Sequence, residues 1–95
     1  DSEHRIMTQY RQFSDLLKIA GLGIRGVSMD SRGSWRVSLD NGLVMLLGRE
    51  RMEKRLWRIA RVYPVVVKPR VDDIERVDLR YSNGFAISWR NAADV

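Results

Sequence analysis

Two stretches of this 95-residue chain alternate apolar and polar side chains on either side of an Asn-Gly pair. The first runs Trp35-Arg36-Val37-Ser38-Leu39, then Asp40-Asn41-Gly42, then Leu43–Leu47. The second runs Val77 to Tyr81, then Ser82-Asn83-Gly84, then Phe85 to Trp89. A two-residue period marks a half-buried strand, and Asn-Gly marks a tight hairpin because both residues tolerate positive φ. The spacing also predicts the register. A two-residue loop would set Leu39 against Val44 and Arg36 against Leu47, mixing apolar and polar side chains on one face. A three-residue loop instead pairs Leu39 with Leu43, Val37 with Met45 and Trp35 with Leu47. In the second hairpin it pairs Tyr81 with Phe85, Leu79 with Ile87 and Val77 with Trp89. A one-residue slip would invert every face, so three-residue loops are expected at both sites, with Gly42 and Gly84 at positive φ forming the bulge.

The remaining elements follow from the same kind of pattern. Ile6, Tyr10, Phe13, Leu16, Leu17 and Ala20 recur at three- and four-residue steps, which predicts an amphipathic helix stopped by Gly21 and Gly23. Val27 and Met29 alternate with Ser28 and Asp30 and lead through the turn Ser31-Arg32-Gly33-Ser34 into the first hairpin. Leu43–Leu47 is apolar throughout, which suits a central strand covered on both faces. A second helix is expected from about Glu50 to Tyr63, with Met52, Leu56, Ile59, Ala60 and Tyr63 on its apolar side and Glu50 paired to Lys54. Pro64 is expected to end it, and Pro64–Asp73 to be a connecting loop held extended in part by Lys68-Pro69. The expected fold class is α+β: a mainly antiparallel β-sheet with two amphipathic helices on one face, in the order α-β-β-β-α-β-β. Residues 1–95 fit a single domain.

The end of the chain bears on function. Six residues follow Trp89 and none reads as a further strand, so the last strand is expected at the sheet edge with backbone groups unpaired along one side. An apolar, aromatic edge is either a hazard to be blunted or a docking site for another chain, and the second reading is adopted here. Burial of Tyr81, Phe85 and Trp89 inside the domain would make them ordinary core residues instead.

Composition excludes several other functions. No cysteine is present and there is one histidine, so thiolate or histidine metal sites and disulfides are not expected. The cluster Asp72, Asp73 and Glu75 lacks the spaced loop and glycine of a calcium site and reads as solvated. Ser28, Ser38 and Ser88 have no neighbouring base, His4 reads as a surface residue, and Gly21-Leu22-Gly23 closes a helix where phosphate loops open one. No catalytic residue, cofactor or metal is therefore expected. No apolar run approaches the length of a membrane span, and the chain starts at Asp1, which reads as a fragment of a longer protein.

The net charge of +5 is concentrated between Arg49 and Arg61, where six basic residues face two acidic ones. Arg51, Lys54, Arg55, Arg58 and Arg61 form a basic helix face. A solvated surface, an acidic protein or lipid partner, and a nucleic-acid interface are all compatible with it. Nucleic-acid readers usually interleave exposed aromatics, and Trp57 is the one aromatic in the run.

Four blocks carry a resemblance: Arg32-Gly33-Ser34-Trp35-Arg36-Val37-Ser38-Leu39-Asp40-Asn41-Gly42, Leu47-Gly48-Arg49, Arg58-Ile59-Ala60-Arg61-Val62-Tyr63-Pro64, and Val77-Asp78-Leu79-Arg80-Tyr81-Ser82-Asn83-Gly84. In this order and spacing, across roughly Tyr10 to Arg90, the chain resembles the FtsQ (DivIB) family of bacterial division proteins. The resemblance implies a bitopic inner-membrane parent with a periplasmic POTRA domain and a β domain, of which this chain is most of the second. The anchor, the POTRA domain and the opening strand of the β domain would lie outside it. It implies a non-catalytic module that binds FtsB, and FtsL through the FtsB/FtsL coiled coil, at the division septum, linking early and late division proteins. FtsB would add a strand along Tyr81, Ser82, Asn83, Gly84, Phe85, Ala86, Ile87, Ser88 and Trp89. Arg32 would pair with an acidic group on FtsB, and Arg80 would flank the strand. Phe85 departs from the family pattern, where a smaller residue is common, and implies a different complementary side chain on the partner.

Overall fold

The computed structural model describes residues 2–90. The first helix, α1, spans Ser2–Lys18. It ends where the Leu22 N–H donates to the Leu17 carbonyl at 3.0 Å and the Gly21 N–H donates to the Lys18 carbonyl at 2.9 Å. This closing pattern places Gly21 at φ +74°. Three strands follow: β1 (Ile24–Met29), β2 (Trp35–Leu39) and β3 (Val44–Gly48). The helix α2 spans Met52–Val62, and β4 (Ile74–Asp78) and β5 (Ala86–Trp89) complete the order α-β-β-β-α-β-β.

The five strands form one sheet in the order β1-β2-β3-β4-β5. Three of its ladders are antiparallel, and the β3–β4 ladder is parallel. Parallel pairing requires a crossover, and α2 with the segment after it supplies one. Trp35, Val37, Leu39, Met45, Leu47, Ile74 and Val77 are buried on one sheet face, together with Phe13 and Leu17 of α1 and Leu56 and Ile59 of α2. The Phe13 ring meets Trp35 edge-on at 6.0 Å between centroids, a favourable aromatic geometry. The helices thus cover one face of the sheet, as expected. The other face is less covered than the Leu43–Leu47 run suggested: Val44 and Leu46 are only half-buried while Met45 and Leu47 are sealed. Tyr10, expected in the α1 stripe, is 39% exposed.

The first hairpin has the expected loop. Leu39 donates its N–H to the Leu43 carbonyl at 2.8 Å, Gly42 donates to the Leu39 carbonyl at 3.0 Å, and Val37 lies opposite Met45. Gly42 stands at φ +91°, where a side chain would be strained. A register shift between Trp35 and Arg36 then sets Trp35 against Gly48 rather than Leu47.

The second hairpin departs from its expected register. Val77 faces Ile87 rather than Trp89, Trp89 faces Ile74, and Gly84 is not at positive φ. The β4–β5 ladder stops at Asp78 opposite Ala86, leaving a wider loop. Two bonds divert the chain there: the Leu79 N–H turns to the Leu46 carbonyl on β3 at 2.8 Å, and the Asp78 carboxylate accepts the Arg80 N–H at 3.0 Å. The offset is two residues over Arg76–Asp78, which keeps the expected facing there, and a register shift between Ile74 and Arg76 makes it three at Trp89.

The segment after α2 is also different from expectation. Pro64 does not end helical structure; the chain continues as a π-helical turn over Tyr63–Val67 and a 3-10 segment over Lys68–Asp73. Lys68 has helical angles rather than extended ones, and its N–H donates to the Tyr63 carbonyl. The wider turn accommodates a proline that has no N–H and whose ring would crowd a regular α turn. Tyr63 is buried, with its hydroxyl accepting the Asn41 Nδ2 donor at 2.7 Å, and burial raises its pKa against that bond.

Candidate partner-binding edge

β5 occupies the end of the sheet order and pairs only with β4, so its outer side has no strand beside it among the described residues. Trp89 is 37% exposed and Tyr81 is 54% exposed. Phe85 and Ile87 are half-buried and pack against the core. The expected aromatics therefore separate into two roles: Phe85 seats the hairpin, while Tyr81 and Trp89 stay partly exposed at either end of it. Ala86 is exposed and Ser88 half-buried. A shallow hollow of about 490 Å³ is lined by Tyr81, Ser82, Asn83, Gly84, Phe85 and Ala86. Such a hollow beside a free strand edge can receive a side chain from an added strand.

The loop is held from within the domain. The Arg80 guanidinium grips the Asp78 carboxylate through Nε at 2.8 Å and Nη2 at 2.6 Å, a two-point, charge-assisted contact. The Arg80 bond holds the Asp78 carboxyl below the usual carboxylate range against the opposing effect of burial, and raises the pKa of Arg80 in turn. On the far side of the loop, Arg58 of α2 donates to the Ser82 carbonyl at 3.3 Å.

Arg32 and Arg80 come from opposite halves of the chain, and the fold brings them to one depression of about 720 Å³ with Arg49 and Arg55 and the carboxylates of Asp30 and Glu50. The Asp30 carboxylate accepts the N–H groups of Ser34 and Arg32, each at 2.9 Å, which shapes the turn. The Ser34 bond is the main reason that the Asp30 pKa is lowered. Arg49 donates to the Arg32 carbonyl at 3.3 Å, and Arg55 donates to the Leu47 carbonyl at 2.9 Å. The depression therefore carries more cations than anions and suits an incoming carboxylate.

The basic helix face expected from the sequence is divided. Arg51 precedes the helix at φ 54°, Arg55 and Arg58 turn their guanidinium groups onto backbone carbonyls, and Lys54 and Arg61 stay exposed. Glu50 lies outside the helix; among the described residues the ion pairs join Arg80 to Asp78 and Arg76 to Glu75. Arg55 is expected from the sequence on the basic helix face rather than beside Arg32 and Arg80, and sequence reasoning marks neither Arg49 nor Arg70, which sits 4.7 Å above the Trp89 ring. Spacing along the chain carries no signal for contacts that the crossover creates.

Residues 1–80 match the family model described as cell division protein FtsQ/DivIB, C-terminal. This chain belongs to the FtsQ/DivIB family.

Relatives in the family include cell division protein FtsQ of Coxiella burnetii, 36% identical over 91 residues, covering 96% of this chain and 37% of that protein. FtsQ of Shewanella oneidensis is 39% identical over 92 residues, covering 97% of this chain and 35% of that protein. FtsQ of Xanthomonas campestris is 39% identical over 85 residues, with 90% and 30% covered. The chain thus spans about a third of the length of these FtsQ relatives. The family model stops just before Tyr81, whereas 97% coverage in the Shewanella FtsQ alignment extends across the β5 hairpin. Among the described residues, no helix is long and apolar enough to cross a membrane.

Proposed function

We propose that this chain is the non-catalytic interaction module of a cell-division scaffold, and that it binds FtsB by strand addition along the outer side of β5. The observation that carries this reading is the position of β5 at the sheet end, flanked by the exposed rings of Tyr81 and Trp89. Backbone hydrogen bonds along the strand give affinity, and side chains at alternate positions give specificity. Tyr81 and Trp89 are of the residue types that dominate binding hot spots. Arg32 and Arg80, on the cationic depression nearby, receive an acidic group of FtsB, while Asp78 keeps the Arg80 fork oriented. FtsL joins through its coiled coil with FtsB. In this reading residues 1–95 fold as one domain of a single-pass parent on the periplasmic side of the inner membrane, at the septum.

Amide hydrogen exchange with and without a soluble FtsB segment tests the mode of binding. Strand addition protects amides in Ala86–Trp89 and leaves those of β1, the opposite edge, unchanged. Protection confined to β1 or to the helices would overturn the proposal.

A further inference from the structure

The far end of β5 is held by the 3-10 segment Lys68–Asp73. Arg90 donates its N–H to the Asp73 carbonyl at 2.8 Å, and Ile74, the next residue, pairs with Trp89. Within this segment Arg70 leaves helical geometry, at φ −126° and ψ 18°, and its guanidinium carbon stands 4.7 Å from the centroid of the Trp89 ring. A guanidinium over an indole face is an attractive cation–π arrangement. Trp89 remains 37% exposed despite this contact. One face of the ring is therefore engaged from inside the domain, while part of its surface stays available.

We propose that Arg70 is a positioning residue for the partner-binding edge: it fixes the Trp89 indole in its docking orientation before a partner strand arrives. The inference rests on the strand-addition reading above. An exposed tryptophan on a strand end otherwise samples several rotamers, and binding must freeze one of them. Arg70 carries that ordering cost within the free domain. The preceding crossover explains the placement, since the π turn at Pro64 and the 3-10 segment together bring residue 70 back over the end of β5.

The test is a double-substitution cycle with affinity for a soluble FtsB segment as the readout. Arg70→Met keeps the length of the aliphatic stem and removes the charge. It is expected to weaken binding about two- to fivefold, the value of an exposed cation–π contact at tenfold per 1.4 kcal/mol. Arg70→Lys is expected to recover most of the loss, and Arg70→Met is expected to add nothing once Trp89→Ala is in place. In the free domain the indole N–H resonance of Trp89 should shift in Arg70→Met while the melting temperature stays close to wild type. Unchanged affinity in Arg70→Met, beside a weakened Trp89→Ala, would overturn the positioning role and leave strand addition standing. Equal losses from Arg70→Met with and without Trp89 would overturn it too. No loss in Trp89→Ala would instead strike at the underlying reading of the edge.

Discussion

Removing the Trp89 ring measures the edge directly. With 37% of the residue exposed, a tryptophan surface of about 250 Å² leaves roughly 90 Å² for a partner to cover. At about 25 cal/mol per Å² the lost burial is about 2 kcal/mol, or about thirtyfold in Kd. Tyr81, at 54% exposure, offers a comparable area, so Tyr81→Ala should fall in the same range. Isothermal titration of each variant with a soluble FtsB segment gives the affinity, and circular dichroism checks the fold. Trp89→Ala also loses its contact with Arg70, so a small drop in melting temperature is expected without loss of the folded state. Arg25 on β1 serves as the control: its guanidinium donates to the Asp40 carbonyl at the other edge of the sheet, and Arg25→Ala should leave Kd unchanged. Refutation would be Kd values within threefold of wild type for both aromatic variants in folded protein.

Other expectations follow from the same geometry. The Asp78 carboxyl titrates below its unfolded value, so its contribution is full above about pH 4 and disappears as pH falls through the folded pKa. Asp78→Asn should cost about 1 kcal/mol at pH 7, reduced for the exposure of Arg80, and should flatten the acid limb of a denaturant-based stability profile. Met45→Ala, in the sealed centre of the sheet, should cost about 2–5 kcal/mol by urea unfolding. Gly42→Ala meets no crowding but stands at φ +91°, so about 1–2 kcal/mol of backbone strain is expected by the same measurement. Because Arg55 and Arg58 are engaged with carbonyls, labelled DNA or RNA should show no tight, steeply salt-dependent binding; such binding would favour a nucleic-acid role for α2.

The first hairpin was legible because three signals agree on it: alternation, the Asn-Gly pair and a Leu39–Leu43 match that needs positive φ at Gly42. In the second hairpin the alternation placed Val77 and Ile87 on one face correctly, but not with the correct partners, and Tyr81 lies beyond the ladder. A two-residue period is blind to a two-residue shift, and the bonds from Leu79 to Leu46 and from Arg80 to Asp78 decide between the alternatives. Pro64 misleads because its usual effect on a helix presumes an α turn, whereas the chain here widens to a π turn. Family resemblance named Arg32 and Arg80 separately, and no periodicity predicts that the fold brings them to one depression. Arg70 had no sequence signal at all; it acquires its meaning only when the crossover carries it back over Trp89.

The parallel ladder between β3 and β4 has a kinetic consequence. Strands β1 to β3 pair with neighbours in sequence, but Val44 must find Arg76 across the whole of α2 and its extension. Closing so long an intervening path is slow relative to zipping a hairpin. A chain that has assembled only its first three strands lacks the β4 on which β5 pairs, so under the proposed strand addition the docking edge is the last part of the sheet to form.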